Sequence, residues 1–246
     1  MTKTLCLIGA KGGTLKTTSV ASLGHLMALR NLRVLLIDGD PQGDLTTRSG
    51  FQRVSDPILA PTVRVEYRGE SHLDVWMLRG GRALEEVDLK GMLRHIDRGR
   101  AEVSPDVVIL DTPPALGPIT TAALVRSDLT IVGVEPGRES VERLHDIQLL
   151  AEMHERPQFR ALITRARENT NLFRLVSEQL DELFPGRRLE MSIPLETAAA
   201  ESAYFDVPPT VSVPEGNCAR AYARLTDHVI EHLALTNASA AGVPIP

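Results

Sequence analysis

The chain has 246 residues, 43% hydrophobic and 24% charged, ordinary for a globular protein and enough to bury one substantial core. A net charge of −5 gives no bulk attraction to nucleic acid, so such binding needs a local basic patch or a dimer that concentrates one. No run approaches the ~18 apolar residues of a membrane span, no signal-peptide pattern opens the chain, and two distant cysteines without metal spacing suit a reducing cytoplasm.

In chain order, short β-rich runs alternate with helical stretches, the pattern of a mostly parallel sheet covered by helices. The first strand, Thr4–Ile8, runs into the glycine-rich stretch Gly9–Thr18 (GAKGGTLKTT), and a helix follows over Thr17–Leu29. Strand, glycine turn and helix together make a phosphate cradle: backbone N–H groups and the positive end of the helix dipole both point at the anion. Lys16 supplies a mobile charge for the β- and γ-phosphates, and the Thr17 hydroxyl suits Mg²⁺. Lys11 stands early in the loop, where an ordinary phosphate loop requires no lysine. Only four of the 27 basic residues are lysine, and two of those four are Lys11 and Lys16, which suggests a chemical requirement at both.

The second strand, Val34–Ile37, ends in Asp38-Gly39-Asp40-Pro41-Gln42-Gly43, where a carboxylate can hold Mg²⁺ or orient a water. Gly50–Thr62 reads as a surface loop, Leu73–Leu78 as a strand with Trp76 in the core, and Val87–Arg98 as a helix. Val107–Leu110 is apolar throughout, as a strand buried on both faces is, and ends in Asp111-Thr112-Pro113-Pro114. A carboxylate at that point binds Mg²⁺ through water. Beyond it, strands are expected at Leu129–Val134, Ala161–Thr164 and Leu189–Ile193. Helices are expected at Thr120–Val125, Ser140–Met153, Leu172–Leu183, Thr197–Ala203 and Ala219–Leu233. The histidines show no ligand pairing except His228 and His232, spaced i, i+4, which without a third ligand read as a solvated helix face. Residues 1–235 read as one domain and 236–246 as a frayed tail.

With these segments in place, the chain resembles the ParA/MinD superfamily of deviant Walker A ATPases, and within it the ParA-type partition proteins, over nearly its whole length. Lys11–Thr18 (KGGTLKTT) resembles the family's KGGxGKTT, Leu35–Gly43 (LLIDGDPQG) its switch I, and Asp106–Pro114 (DVVILDTPP) its Walker B and switch II. Softer likenesses lie at Ile163–Leu180, Ser192–Glu196 and Ala219–Leu233.

The resemblance implies a single P-loop NTPase domain, α/β, with a mostly parallel twisted sheet flanked by helices on both faces. It implies ATP and Mg²⁺ as cofactors, with Lys11, Gly12, Gly13, Thr14, Leu15, Lys16, Thr17, Thr18 and Pro194 around the nucleotide. Lys11 would reach across a homodimer to the partner's ATP, and Gly12 would let the two loops approach. Lys16 and Thr17 would serve phosphate and Mg²⁺ in cis, with Thr18 near the α-phosphate. Asp40 would position the lytic water, and Asp38 and Asp111 would tend the Mg²⁺ shell. A ParB-like centromere-binding partner and non-specific DNA are implied as well, with Arg165, Arg167, Arg174, Arg187 and Arg188 as candidate DNA contacts. A cytoplasmic protein, nucleoid-associated when ATP-bound, follows from that reading.

Two departures stand out. The family's arginine after its IPR-like turn is missing, since the chain reads Ile193-Pro194-Leu195-Glu196-Thr197. Where the family carries glycine, position 15 is leucine, at a cost of about 1–3 kcal/mol if the turn demands φ > 0. Alternatives within the superfamily are a small-molecule ligase and a MinD-like membrane-cycling ATPase. The latter needs a basic amphipathic C-terminus, and residues 236–246 hold no Lys or Arg. An iron-protein-like reading needs cluster cysteines near the switches, which Cys6 and Cys218 do not supply.

Overall fold

The computed structural model describes residues 1–9, 11–68, 70–156, 159–197 and 206–236. Eight strands form one sheet: β1 Lys3–Gly9, β2 Val34–Asp38, β3 Val63–Arg64, β4 Val75–Leu78, β5 Val107–Asp111, β6 Leu129–Val134, β7 Arg160–Ala166 and β8 Arg188–Pro194. Their order is β3-β4-β2-β5-β1-β6-β7-β8, and every pairing is parallel except β3 with β4. The helices described are α1 Lys16–Leu29, α2 Asp44–Arg48, α3 Leu89–Val103, α4 Pro118–Arg126, α5 Arg138–Met153, α6 Asn171–Leu183, α7 Pro209–Ser212 and α8 Asn217–Leu233, with a 3₁₀ turn at Arg82–Glu86.

Strand alternation divides the core into two layers. Leu5, Leu7, Val34, Leu36, Val107 and Ile109 face α1 and α8, while Cys6, Ile8, Leu35, Ile37, Val108 and Leu110 face the side of α3 to α6. Both faces of the central strands are therefore dry, which explains their unbroken apolar runs. Helix α1 is unusual in that 12 of its 14 residues are buried, because α7 and α8 cover the side that the sheet leaves open. Its His25 is buried and doubly bonded: Nδ1 lies 3.0 Å from Thr210 Oγ1 and Nε2 lies 2.7 Å from Glu70 Oε2. Burial holds that imidazole's pKa below the ordinary value, against the pull of Glu70.

The seven expected strands are present. Strand β3, two residues long, and helix α2, five residues long, are too short to carry a period. Trp76 is half-buried rather than core, and its Nε1 donates to Asp74 Oδ1 at 2.7 Å. Cys6 and Cys218 are free and buried. The helix expected over Thr197–Ala203 lies, beyond Thr197, outside the described residues, as does the tail after Thr236. No helix among the described residues is long and apolar enough to cross a membrane.

The α1–α8 contact carries one buried polar link, Ser19 Oγ to Tyr222 Oη at 3.0 Å. Tyr222→Phe strands the buried Ser19 hydroxyl, so we expect a loss of about 1–2 kcal/mol in a urea titration with unchanged m-value. An unchanged midpoint would show that the pair contributes nothing net.

Candidate functional site

Strand register brings the chemistry together. Asp111 at the end of β5 sits level with Asp38 of β2 on one side and Leu7 of β1 on the other. The loop after β1 therefore opens beside both carboxylates, at the carboxyl edge of the sheet, where parallel α/β folds bind ligands.

Leu15 caps α1 with φ 58° and ψ 22°, with no side-chain cap and no acidic residue in the first turn. The first helical bond is Ser19 N to Leu15 O at 2.8 Å, so the preceding N–H groups have no partner within the helix. They face a cavity of about 340 Å³ lined by residues 12–18, Asp40, Asp44, Arg48, Pro114, Arg165, Pro194, Leu195 and Glu196. Lys16 is only 9% exposed and folds back into the loop. A Cβ on Gly9 would stand 2.8 Å from Lys16 Nζ, so the glycine makes room for the ammonium group. At Gly12, by contrast, an added Cβ meets no atom within 4 Å. Among the described residues, nothing in the single chain requires glycine there.

The three carboxylates stand in different surroundings. Asp111 is buried and accepts from Thr17 Oγ1 at 2.7 Å on Oδ2, while Oδ1 is buried without a partner. Burial pushes its pKa up to about 6, against the Thr17 hydrogen bond and the Lys16 charge. Asp38 does not line the cavity. Its Oδ2 accepts from Thr46 N at 2.8 Å and Thr46 Oγ1 at 2.6 Å, and Oδ1 accepts from Asp40 N at 3.3 Å. Thr46 Oγ1 in turn accepts from Gly80 N at 2.8 Å, so Asp38 latches α2 to the ends of β2 and β4. Burial and the neighbouring Asp111 raise its pKa to about 7. Asp40 lines the cavity, with Oδ1 accepting from Gln42 N at 2.9 Å.

Thr17, the orphaned Oδ1 of Asp111 and Asp40 offer hard oxygen donors beside the cradle, a set that fits Mg²⁺. No cluster of three metal-ligating side chains occurs among the described residues.

Lys11 is 38% exposed and is not part of the cavity wall; its Nζ lies 3.6 Å from Glu135 Oε2. Glu135 also holds Arg165, whose Nε lies 3.3 Å from Oε1. Arg165 adopts φ 51° and lines the cavity, which sets it apart from the other candidate DNA contacts. Arg188 is forked onto Asp181 at 2.8 and 2.9 Å, and Arg187 stacks 5.0 Å over the Phe159 ring. Arg174 donates to Asn171 Oδ1 at 3.0 Å on α6, while Arg167 is exposed. The five arginines thus form no single free patch. Glu135, Asp44 and Arg48 carry no motif; the one signal in sequence is that Glu135 directly follows the last residue of an apolar strand run.

Two measurements check this geometry. Leu15 holds a left-handed conformation that disfavours side chains by about 1–2 kcal/mol, offset by its packing against the core. Leu15→Ala keeps the strain and loses the packing, so it should melt below Leu15→Gly; the reverse order would show that strain is not what leucine tolerates here. The second concerns pH. Asp38 and Asp111 titrate in the fold near 7 and 6, above the ordinary carboxylate value of about 4 in the unfolded chain. The native state therefore binds more protons across this window, and their contribution, full below pH ~4, is lost as pH rises through 7. We expect the urea midpoint of the metal-free protein to fall from pH 5 to pH 8, less steeply for Asp38→Asn; a rising midpoint would contradict the burial of this pair.

Comparisons with known proteins agree with the site. The family described as the CobQ/CobB/MinD/ParA nucleotide binding domain matches residues 5–209. A ParA family protein of Chlamydia trachomatis is 26% identical, covering 93% of this chain and 97% of its own. The sporulation initiation inhibitor protein Soj of Bacillus subtilis is 28% identical, covering 93% and 98%. Among solved structures, the septum site-determining protein MinD of Pyrococcus horikoshii with Mg-ADP superposes with a TM-score of 0.80 at 19% identity, covering 97% of this chain and 100% of that one. Cobyrinic acid a,c-diamide synthase of Mycobacterium smegmatis, with an ATP analogue and magnesium, gives 0.76 at 26% identity, covering 99% and 100%. A glycine-rich loop, a helix with open N–H groups and a strand-end aspartate on its threonine hydroxyl therefore place the chain in the CobQ/CobB/MinD/ParA nucleotide-binding family, as a P-loop ATPase of the ParA/MinD type.

Proposed function

We propose that this ATPase binds Mg·ATP, closes into a face-to-face dimer over two nucleotides, hydrolyses ATP slowly and serves DNA partition with a ParB-like partner. One observation carries the reading: the chain has two loop lysines, and only one serves its own cavity. Lys16 is folded inward, whereas Lys11 lies outside the cavity wall, on Glu135. An ammonium group so placed is available to a second chain's phosphates. The open space over Gly12 supports the same reading, because a glycine unneeded within one chain suits close approach by another.

Phosphoryl transfer is mostly positioning and charge neutralisation. The α1 N–H groups and Lys16 would hold the β- and γ-phosphates, Thr17 and Asp111 would carry Mg²⁺, and Asp40 would orient the attacking water. Mg²⁺ supplies charge neutralisation when bound. Asp38 acts indirectly, by fixing α2 and the Asp40 backbone. Residues 1–235 would form the ATPase domain, working in the cytoplasm and on the nucleoid when ATP is bound. Non-specific DNA contact would fall to Arg167 and Arg174, the two candidates without an ion pair or ring partner within the described fold.

The likeness to the cobyrinic acid synthase, 26% identical over 99% of the chain, favours a ligase as the second reading. ATPase activity stimulated by DNA separates the two, and DNA binding should weaken by about 0.9 in log K per phosphate neutralised for each tenfold rise in salt. For the dimer, light scattering of wild type and Lys11→Ala with ADP and with a non-hydrolysable ATP analogue is decisive. We expect wild type to double in mass with the analogue alone, and Lys11→Ala to stay monomeric while still binding it. A wild type that remains monomeric throughout, or a variant that dimerises equally well, would remove the clasp.

A further inference from the structure

We propose that Arg48 is a phosphate-binding cation of the nucleotide site, standing on the α- and β-phosphate side; this rests on the reading that the cavity takes a nucleotide.

The argument begins with charge. The carboxylates on the cavity wall are Asp40, Asp44 and Glu196, and Asp111 lies just behind Thr17. Against them, Arg165 is committed to Glu135, as Lys11 is outside the wall, and Arg53 serves Asp44 at 3.7 Å. Two cations remain on the wall without an ion pair among the described residues, Lys16 and Arg48. A nucleotide di- or triphosphate entering this surface needs more than one of them.

Geometry then places Arg48. Its Nη1 donates to Thr18 Oγ1 at 3.3 Å, a long bond to a neutral acceptor. A phosphate oxygen is a far better partner, forming charge-assisted bonds near 2.7–2.9 Å. Thr17 turns its hydroxyl to Asp111, which marks the metal end, and Thr18 turns its own to Arg48, one helical step around α1. Thr17 and Asp111 would hold the metal, so Arg48, on the Thr18 side of α1, would stand farther along the phosphate chain, with its charge still felt at Asp111. Nor does the guanidinium hang from a free loop. Helix α2 is pinned by the Asp38–Thr46 bonds, so the same buried carboxylate that steadies the Asp40 backbone also sets where Arg48 begins.

The test is titration calorimetry of Mg·ATP and Mg·ADP with wild type, Arg48→Ala, Arg48→Gln and Arg48→Lys, each checked for folding by its nucleotide-free melting midpoint. Loss of a charge-assisted contact should weaken both nucleotides by about tenfold or more in the Ala and Gln variants. Arg48→Lys should stay within about threefold, since charge and not the link to Thr18 is what matters. Equal affinity in Arg48→Ala would overturn the proposal, as would a loss confined to ATP, which would move the arginine to the γ-phosphate. A Gln variant that binds like wild type would leave Arg48 merely structural and refute it too. A wild type that binds neither nucleotide would sink the nucleotide reading itself, a result distinct from all of these.

Discussion

Two carboxylates lie side by side, out of reach of water, at the ends of adjacent parallel strands, and the site is organised around them. Asp38 and Asp111 are register partners across β2 and β5, and each is almost wholly buried. Such a pair is unfavourable unless hydrogen-bonded and neutralised. The bonds it does have come from segments at the cavity, while Asp111 Oδ1 is left without a partner among the described residues. Thr17 of the phosphate loop binds Asp111, and Thr46 of α2 binds Asp38, with the Asp40 N–H on the same group. Lys16 adds a positive charge beside Asp111. The phosphate loop and α2 are thus moored to one electrostatic centre, which links the sheet's register to the position of the cavity wall.

The loop itself carries a compromise. Leu15 occupies a left-handed backbone where glycine would be unstrained, yet it packs against the core layer that contains α1. Strain held in place by surrounding packing is common where a backbone must present N–H groups to a ligand. Lys11 shows a second kind of tension. Its ion pair with Glu135 is half exposed and so worth little, about 0–1 kcal/mol, which leaves the ammonium group free to leave for a stronger anion. Glu135 also touches Arg165 at the cavity's far end, so one side chain lies between the outward lysine and the nucleotide pocket.

Much of this was legible in sequence, and the reasons it was or was not are physical. Apolar runs such as Val107–Leu110 announce central strands because both sheet faces are covered. The phosphate loop is legible because glycines, lysines and a threonine at fixed spacing serve one local structure. Asp38 is only half legible: a strand-end aspartate reads as a metal-shell residue, while its bonds to Thr46 depend on α2, too short to be read. Arg48 is hidden for the same reason. Glu135 is invisible because its partners, Lys11 and Arg165, come from other strand ends and meet only when β1, β6 and β7 align. His25 carries no signal in sequence, because its partners Thr210 and Glu70 are brought to it only by the fold.

The family's members share this scaffold while differing in what their loops and surfaces engage, so role follows from the site and not from the fold. For this chain the claim beneath all others is that the cradle at residues 12–18 takes nucleotide phosphates, with the metal held where the Thr17 hydroxyl meets Asp111. The gain in ATP affinity on adding Mg²⁺ tests it most directly, measured in wild type and in Thr17→Ala. The account predicts a clear Mg²⁺-dependent tightening in wild type that disappears in the variant. Tightening of equal size in both proteins would contradict it.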